Sequence, residues 1–220
     1  MTGNLIRLGL AAAFVISAYT ALAEEPAAIV ESVSPGVAGV EFMAYLRPGQ
    51  TFTLGPTQTA TLGYLQSCIK ESITGGGVKV GFSKSTVTGG KVQRTRVRCD
   101  GGNIILTSAQ AEGAVTAFRA RPRKSKSKNK IKPQLTIYAT NPIVTLIRKT
   151  NSITIERLDK NNFKRSVKVK SLVVDLAKHA IVFEAGGVYR LAADDRKIIF
   201  KVNAQAGSSS DSILQRLIRL

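Results

Sequence analysis

The clearest pattern in the chain is residues 51–64, Thr-Phe-Thr-Leu-Gly-Pro-Thr-Gln-Thr-Ala-Thr-Leu-Gly-Tyr. Polar and apolar residues alternate on both sides of Gly55-Pro56, so that Ala60, Leu62 and Tyr64 lie on one face of an extended chain. A period of two that is interrupted by glycine and proline is typical of short antiparallel strands. These residues predict a mainly β fold, with one strand ending at Gly55-Pro56 and a second strand after it.

A Thr-Gly-Gly sequence occurs twice in the residues that follow. Thr74-Gly-Gly76 belongs to the segment 73–80, and Thr88-Gly-Gly90 belongs to the similar segment 87–94. Each glycine pair predicts a turn or bulge with positive φ. A phosphate-binding loop is not indicated, because the glycines lack the GxGxxG spacing and are followed by a strand pattern rather than a helix.

The last third of the chain is also rich in strand patterns. The segment 134–205 contains about seven short apolar or alternating stretches, a density that predicts a small β-sandwich. Residues 206–220 combine a Ser-rich stretch with an apolar stripe at helical spacing, which predicts a hinge and a short amphipathic helix. The stripe is expected to dock on a β domain or on a partner protein, and it consists of Ile213, Leu214, Leu217 and Ile218.

The first 23 residues have the composition of an export signal. Arg7 is their only charged residue, an apolar stretch covers residues 8–18, and Ala21-Leu-Ala23 matches a small-residue cleavage site. The apolar stretch is shorter than the roughly 20 residues that cross a bilayer. We therefore expect a signal peptide and export to the periplasm or cell envelope, with an uncleaved N-terminal anchor as the alternative.

The chain has two cysteines, Cys68 and Cys99. An even number of cysteines in an oxidising compartment favours a disulfide, and closing a loop of about 30 residues stabilises a fold by roughly 3 kcal/mol. Two buried thiols are the alternative. No CxxC motif is present, and nothing in the sequence pairs either cysteine with a histidine, so a catalytic thiol is not indicated.

The charge of the chain is strongly positive. It has 32 Lys and Arg against 14 Asp and Glu, and the segment 119–132 concentrates this charge without a single acid. Such a segment is either an extended linker or a surface that attracts anionic lipid or an anionic polymer, and the sequence leaves both interpretations open. Specific recognition of nucleic acid is not expected, because the segment lacks stacking aromatics. The candidate anion-binding residues are Arg119, Arg121, Arg123, Lys124, Lys126, Lys128, Lys130 and Lys132.

Few residues of the chain suggest catalysis. One histidine and two cysteines exclude most zinc and iron–sulfur sites. His179 follows Asp175 by four residues, but without a partner nucleophile it is expected to be structural or solvated. The chain has no GxSxG motif, and Asp194-Asp195 offers too few oxygens for a hard cation. We expect no catalytic residue, no metal and no cofactor.

The segments 46–56 and 60–65, Leu-Arg-Pro-Gly-Gln-Thr-Phe-Thr-Leu-Gly-Pro and Ala-Thr-Leu-Gly-Tyr-Leu, resemble the FecR-type β domain. That family pattern runs from a Leu-x-x-Gly turn to a strand that ends in glycine, and then to an alternating strand. The resemblance covers mainly residues 40–65 and, more loosely, 40–118, which look like part of a small exported proteobacterial protein. It implies a periplasmic β module that contacts other proteins or the envelope, without family catalytic residues.

These observations predict a non-enzymatic protein of the periplasm or cell envelope that contacts anionic envelope components through its basic segment. The alternative is a structural or accessory subunit of an envelope protein assembly, and an unrecognised hydrolase is a third hypothesis. The expected partners are an envelope protein or an anionic polymer or lipid, with a peripheral contact to the membrane. The predicted organisation is a signal peptide at 1–23, a flexible lead-in at 24–39, a FecR-like β domain at 40–118, a basic linker at 119–133, a β-sandwich at 134–205, and the hinge and helix at 206–220.

Overall fold

The computed structural model describes residues 25–104, 131–160, 163–208 and 210–220. The signal peptide predicted at 1–23 lies outside these residues. The described part of the chain is mainly β, with 51% of residues in strands and 5% in helical turns. The predicted fold class is therefore confirmed.

The N-terminal half forms one antiparallel sheet, called sheet A. Its strand order is β2-β1-β3-β4, and β4 then pairs with both β5 and β6. The alternating residues at 52, 54, 60, 62 and 64 are buried on one face, as the sequence pattern predicts. The strands are β1 (Ala28–Val33), β2 (Tyr45–Leu46), β3 (Thr51–Tyr64), β4 (Ile69–Lys79), β5 (Thr86–Thr88) and β6 (Lys91–Arg96).

Strand β1 corrects the prediction of a flexible lead-in at 24–39. It lies inside sheet A between β2 and β3, and Ala28, Ile29 and Val30 are all fully buried. The apolar run beginning at Ala27 covers both faces of the sheet, so it lacks the alternation that marks a half-exposed strand. The first sheet accordingly begins at Ala28 rather than at residue 40.

Regular pairing is interrupted at one level of sheet A, where Gly55-Pro56, Gly75-Gly76 and Gly89-Gly90 lie next to one another. We call this level the crease. β3 is one strand of 14 residues, and its pairing with β4 shifts register between Leu54 and Thr59, at the Gly55-Pro56 step where the sequence predicts a strand end. Directly across, Gly75 and Gly76 have φ of 65° and 84°. Gly89-Gly90 then separates β5 from β6, which pair with β4 on either side of its glycines. The first Thr-Gly-Gly sequence therefore lies at a bulge and the second lies in the connection beside it, at one level of the sheet.

We expect Gly76→Ala to destabilise the protein more than Gly89→Ala. Both glycines have positive φ, which costs an alanine about 1–2 kcal/mol. A Cβ on Gly76 would lie 2.4 Å from the Thr88 carbonyl oxygen, whereas a Cβ on Gly89 meets nothing within 4 Å. The overlap adds about 1–3 kcal/mol at Gly76 only. Urea unfolding measures the free energy of unfolding of the two variants. Equal decreases in both would show that the close approach of the backbone at Gly76 does not matter for stability.

The C-terminal half contains two further sheets, called sheets B and C. Sheet B has the order β10-β9-β12-β13-β7, and sheet C has the order β11-β8-β14. Buried residues of both sheets belong to one hydrophobic cluster, which gives the sandwich-like arrangement. The elements are β7 (Leu135–Ala139), β8 (Ile143–Thr145), β9 (Ser152–Arg157), β10 (Lys164–Lys168), β11 (Val173–Asp175), the 3-10 helix η1 (Leu176–His179), β12 (Val188–Ala193), β13 (Arg196–Gly207), the 3-10 helix η2 (Ile213–Gln215) and β14 (Leu217–Arg219).

The end of the chain corrects the predicted hinge and amphipathic helix at 206–220. Only the single turn η2 is helical, and β14 then pairs in parallel with β8. Leu214, Leu217 and Ile218 are at most 2% exposed, and Ile213 packs against the same cluster. These four side chains complete the core of their own chain, so they are not a docking surface for a partner. The second β unit accordingly extends beyond residue 205 to Leu220.

The two halves of the chain share a core. Ile29, Met43, Leu65 and Ile104 belong to the same hydrophobic cluster as the buried residues of sheets B and C. The hydroxyl groups of Tyr45 and Thr145 are hydrogen bonded at 2.6 Å, and Arg219 lies over the Tyr45 ring. The two halves are therefore packed together and are not independent domains joined by a linker.

Glu31 of β1 lies at this junction, where its carboxylate accepts a hydrogen bond from the Ser212 hydroxyl just before η2. Burial raises the pKa of Glu31 above its usual 4.5, against the opposing effects of Ser212, the backbone of η2 and the charge of Lys70. Protonation of a buried carboxyl is favoured when desolvation outweighs its hydrogen bonds.

The folded state therefore holds the Glu31 proton more tightly than the unfolded state. Its stabilising contribution is complete below about pH 4.5 and is lost as pH rises through the raised pKa. We expect Glu31→Gln to remove this dependence, so that the variant gains stability relative to wild type as pH rises from about 4.5. Urea unfolding at several pH values tests this. If Glu31→Gln instead becomes less stable relative to wild type as pH rises, the raised pKa assigned to Glu31 is wrong.

Candidate anion-binding groove

The two cysteines form the predicted disulfide. Cys68 follows β3 and Cys99 follows β6, and their sulfur atoms are 2.01 Å apart. The bond joins the two ends of the β4–β6 region of sheet A. A hydrogen bond from the Val97 amide to the Cys68 carbonyl runs beside it. The predicted disulfide is confirmed.

Most of the predicted basic segment lies outside the described residues. Lys132 is described and is exposed, in a stretch without regular secondary structure. The other predicted anion-binding residues lie in the part of the chain that the structure does not describe, namely Arg119, Arg121, Arg123, Lys124, Lys126, Lys128 and Lys130.

The structure brings together a different set of basic residues. A groove of about 440 Å³ runs between the end of β10, the β10–β11 connection and η1, with Lys168, Lys170, Lys178 and His179 around it. An adjoining hollow shares Lys168, Lys170 and His179 and adds Arg165. We call these five residues the basic rim. A volume of this size is in the range of small-molecule sites.

Local strand geometry sets the direction of the two central lysines. Val167 is buried and Val169 is half-buried, so the alternation of β10 and its extension turns Lys168 and Lys170 to the same solvent-facing side. Residues two apart in a strand are about 6.6 Å apart along the chain, close enough for both ammonium groups to reach one phosphate. The Val169 amide, which donates to the Asn151 carbonyl, continues the pairing beyond β10.

The third lysine is placed by η1. Asp175 caps this turn by accepting from the Ala177 amide at 3.2 Å, and Ala180 closes it with φ of 55°. The Leu176 amide donates to the Pro142 carbonyl, which fixes the turn against the segment before β8. Lys178 and His179 therefore occupy the last turn of a short helix that is held at both ends.

Among the residues that the structure describes, one acid lines the groove, Asp175, and it is already engaged. The Asp175 carboxylate accepts from the Arg216 guanidinium at 2.7 Å as well as from the Ala177 amide. Its charge is thus balanced by Arg216, which leaves the ammonium groups of the rim without a carboxylate partner among the described ion pairs. Converging cations with balanced acids favour the binding of an anion.

The sequence indicates parts of this groove but not the groove itself. The alternating Val-Lys-Val-Lys of residues 167–170 indicates a strand, and the spacing of Asp175 and His179 indicates a helical turn. Asp175 caps η1 and binds Arg216. The juxtaposition depends on the packing of sheet B, which contains β10, against sheet C, which contains β8 and β11, and no local pattern encodes that packing.

Comparison with protein-family models, curated proteins and solved structures gives no match. Within residues 25–104, 131–160, 163–208 and 210–220, no helix is long and apolar enough to cross a membrane. The same residues contain no group of three or more His, Cys, Asp or Glu that could hold a metal ion.

Proposed function

We propose that this chain is a non-enzymatic, exported β protein that binds phosphate-bearing components of the cell envelope through the basic rim. The observation that carries the proposal is the convergence of Lys168, Lys170 and Lys178 on a groove whose one acid, Asp175, is engaged by Arg216. Phosphate groups accept charge-assisted hydrogen bonds from lysine, and such bonds are roughly twice as strong as neutral ones.

Two further features support this function. The net charge of +18 attracts anions to the whole molecule, and eight of the basic residues that produce this charge lie in the segment 119–132. The disulfide is stable in an oxidising compartment, which agrees with the export signal expected at 1–23. Export and the FecR-like character of residues 40–118 remain part of the proposal.

The groove favours binding over catalysis. Its hydroxyl-bearing Ser171 donates to the Val173 carbonyl at 2.5 Å, and Asp175 is held by Arg216. Both groups therefore have hydrogen-bond partners within the fold. The alternative of an assembly subunit that docks through its tail is not proposed, since the tail side chains are buried in their own core.

The experiment compares binding of the wild-type protein and a Lys168→Ser/Lys170→Ser/Lys178→Ser variant to phosphatidylcholine vesicles with and without phosphatidic acid. Each lysine near an anionic surface contributes about 1 kcal/mol, so the triple variant is expected to bind about 100-fold more weakly. Binding of the wild type should fall with added salt, because exposed charges are screened.

A charge-matched control separates the groove from general attraction. The variant Lys79→Ser/Lys197→Ser/Lys201→Ser also removes three exposed lysines, but they lie on β4 and β13 rather than on the groove. It should keep most of the binding. Equal losses in both triple variants would mean that the net charge, and not the basic rim, determines binding.

A further inference from the structure

Apolar residues line the groove together with its basic rim. Ile143 and Val174 are buried at its base, and Val169 and Val173 are half-buried along its side. A bare phosphate or a polyphosphate has nothing to contact on these apolar residues. A ligand that fits both sets of residues carries a phosphate at one end and an apolar chain at the other.

Phe42 adds to these apolar residues from the N-terminal half of the chain. It lines the groove, yet 59% of its surface is exposed. Exposed phenylalanine costs free energy that burial against an apolar ligand would recover. The groove thus combines Phe42, an apolar side chain of the first half, with lysines of the second half.

The backbone holds Phe42 outward. Its turn closes with a hydrogen bond from the Ala44 amide to the Glu41 carbonyl, and Met43 within the turn has φ of 66°. This left-handed conformation is unfavourable for methionine, but it lets Met43 enter the shared core while Phe42 points to the groove. Residues held in such conformations cluster at ligand sites.

We propose that the groove binds a phosphate-bearing lipid, with the phosphate on Lys168, Lys170 and Lys178 and the acyl chain along Phe42. This inference rests on the proposed function and specifies the ligand of the same site. A second copy of the chain is a poor occupant, because two basic rims would face each other and repel. A groove of about 440 Å³ suits one small amphiphile.

The test measures binding of dihexanoyl phosphatidic acid and of glycerol 3-phosphate, which has the same phosphate without acyl chains, by calorimetry. Wild type should prefer the lipid by about tenfold or more, the value expected for burying a large part of one phenylalanine side chain. Phe42→Ser should lose most of this preference and keep its affinity for glycerol 3-phosphate. The matched control is Phe82→Ser, which removes another exposed phenylalanine, 69% exposed, from outside the groove.

The outcomes separate the two proposals. Wild type that binds both ligands equally, or a Phe42→Ser variant that keeps the full preference, overturns the lipid assignment and leaves phosphate binding intact. If the triple lysine variant binds both ligands as wild type does, the proposed function fails as well. A Phe82→Ser variant that loses the preference as Phe42→Ser does would place the apolar contact outside the groove.

Discussion

Glu71→Ala is expected to destabilise the protein by about 3 kcal/mol, the lower end of the range for breaking a buried ion pair. The Glu71 carboxylate is fully buried and accepts from the Arg94 guanidinium at 2.6 Å and from the Ser85 amide at 3.1 Å. Alanine leaves the buried Ser85 amide without its acceptor. Arg94 keeps access to solvent through its 37% exposed side chain, which limits the loss.

The same network includes a buried phenol. The Tyr64 hydroxyl is hydrogen bonded to the Ser85 hydroxyl at 2.8 Å, and burial raises the pKa of Tyr64 to about 12. Tyr64 therefore remains neutral at ordinary pH. Together these residues fix the β4–β5 connection to the middle of sheet A.

Thermal unfolding of Glu71→Ala should show a Tm lower by roughly 6–12 °C for a chain of this size. The control is Glu156→Ala, which breaks the half-exposed pair between Glu156 and Arg190, 3.1 Å apart. A surface pair contributes less than about 1 kcal/mol, so this variant should unfold close to wild type. Similar losses in the two variants would contradict the structural role assigned to Glu71.

Removal of the disulfide is the second large effect. Cys68 and Cys99 are 31 positions apart, and opening a loop of this length costs about 3–4 kcal/mol by the loop-entropy model. We expect Cys68→Ser/Cys99→Ser to unfold at a lower denaturant concentration than wild type, with the difference disappearing when wild type is fully reduced.

The reduced wild-type protein is the control for the double serine variant. The two proteins differ only in having sulfur or oxygen at positions 68 and 99, and neither has the cross-link. Denaturant unfolding with and without a thiol reductant supplies the measurement. If the oxidised protein and the double serine variant have the same midpoint, the disulfide does not stabilise the fold and its role must lie elsewhere.

Residues 51–64 and the glycine pairs carried enough local information to predict a mainly β fold. The position of Glu71 on the buried face also follows from its spacing, because Ile69 and Ile73 lie two residues before and after it on the same face of β4. Its partner does not, because the register of β4 with β6 is set by the crease at Gly75-Gly76 and Gly89-Gly90. Register across a bulge is a property of the paired strands and not of either strand alone.

The errors at the two ends of the chain have the same physical origin. The first three residues of β1 are buried on both faces of the sheet, and β14 is a three-residue strand in which Leu217 pairs with Ile143, far earlier in the chain. Short apolar segments fit a helix or a strand equally well until their long-range partners are known. The basic groove was missed for this reason too, since Phe42, Lys168 and Lys178 meet only through the packing of the two halves.

The most direct test of the account is an amide chemical-shift titration of the protein with dihexanoyl phosphatidic acid. We expect saturable shifts that cluster at Lys168, Lys170, Lys178 and His179 and at the turn around Phe42, the residues that line the groove. Shifts confined to residues 119–132, or spread evenly over exposed lysines of β4 and β13, would contradict the assignment of the groove as the binding site.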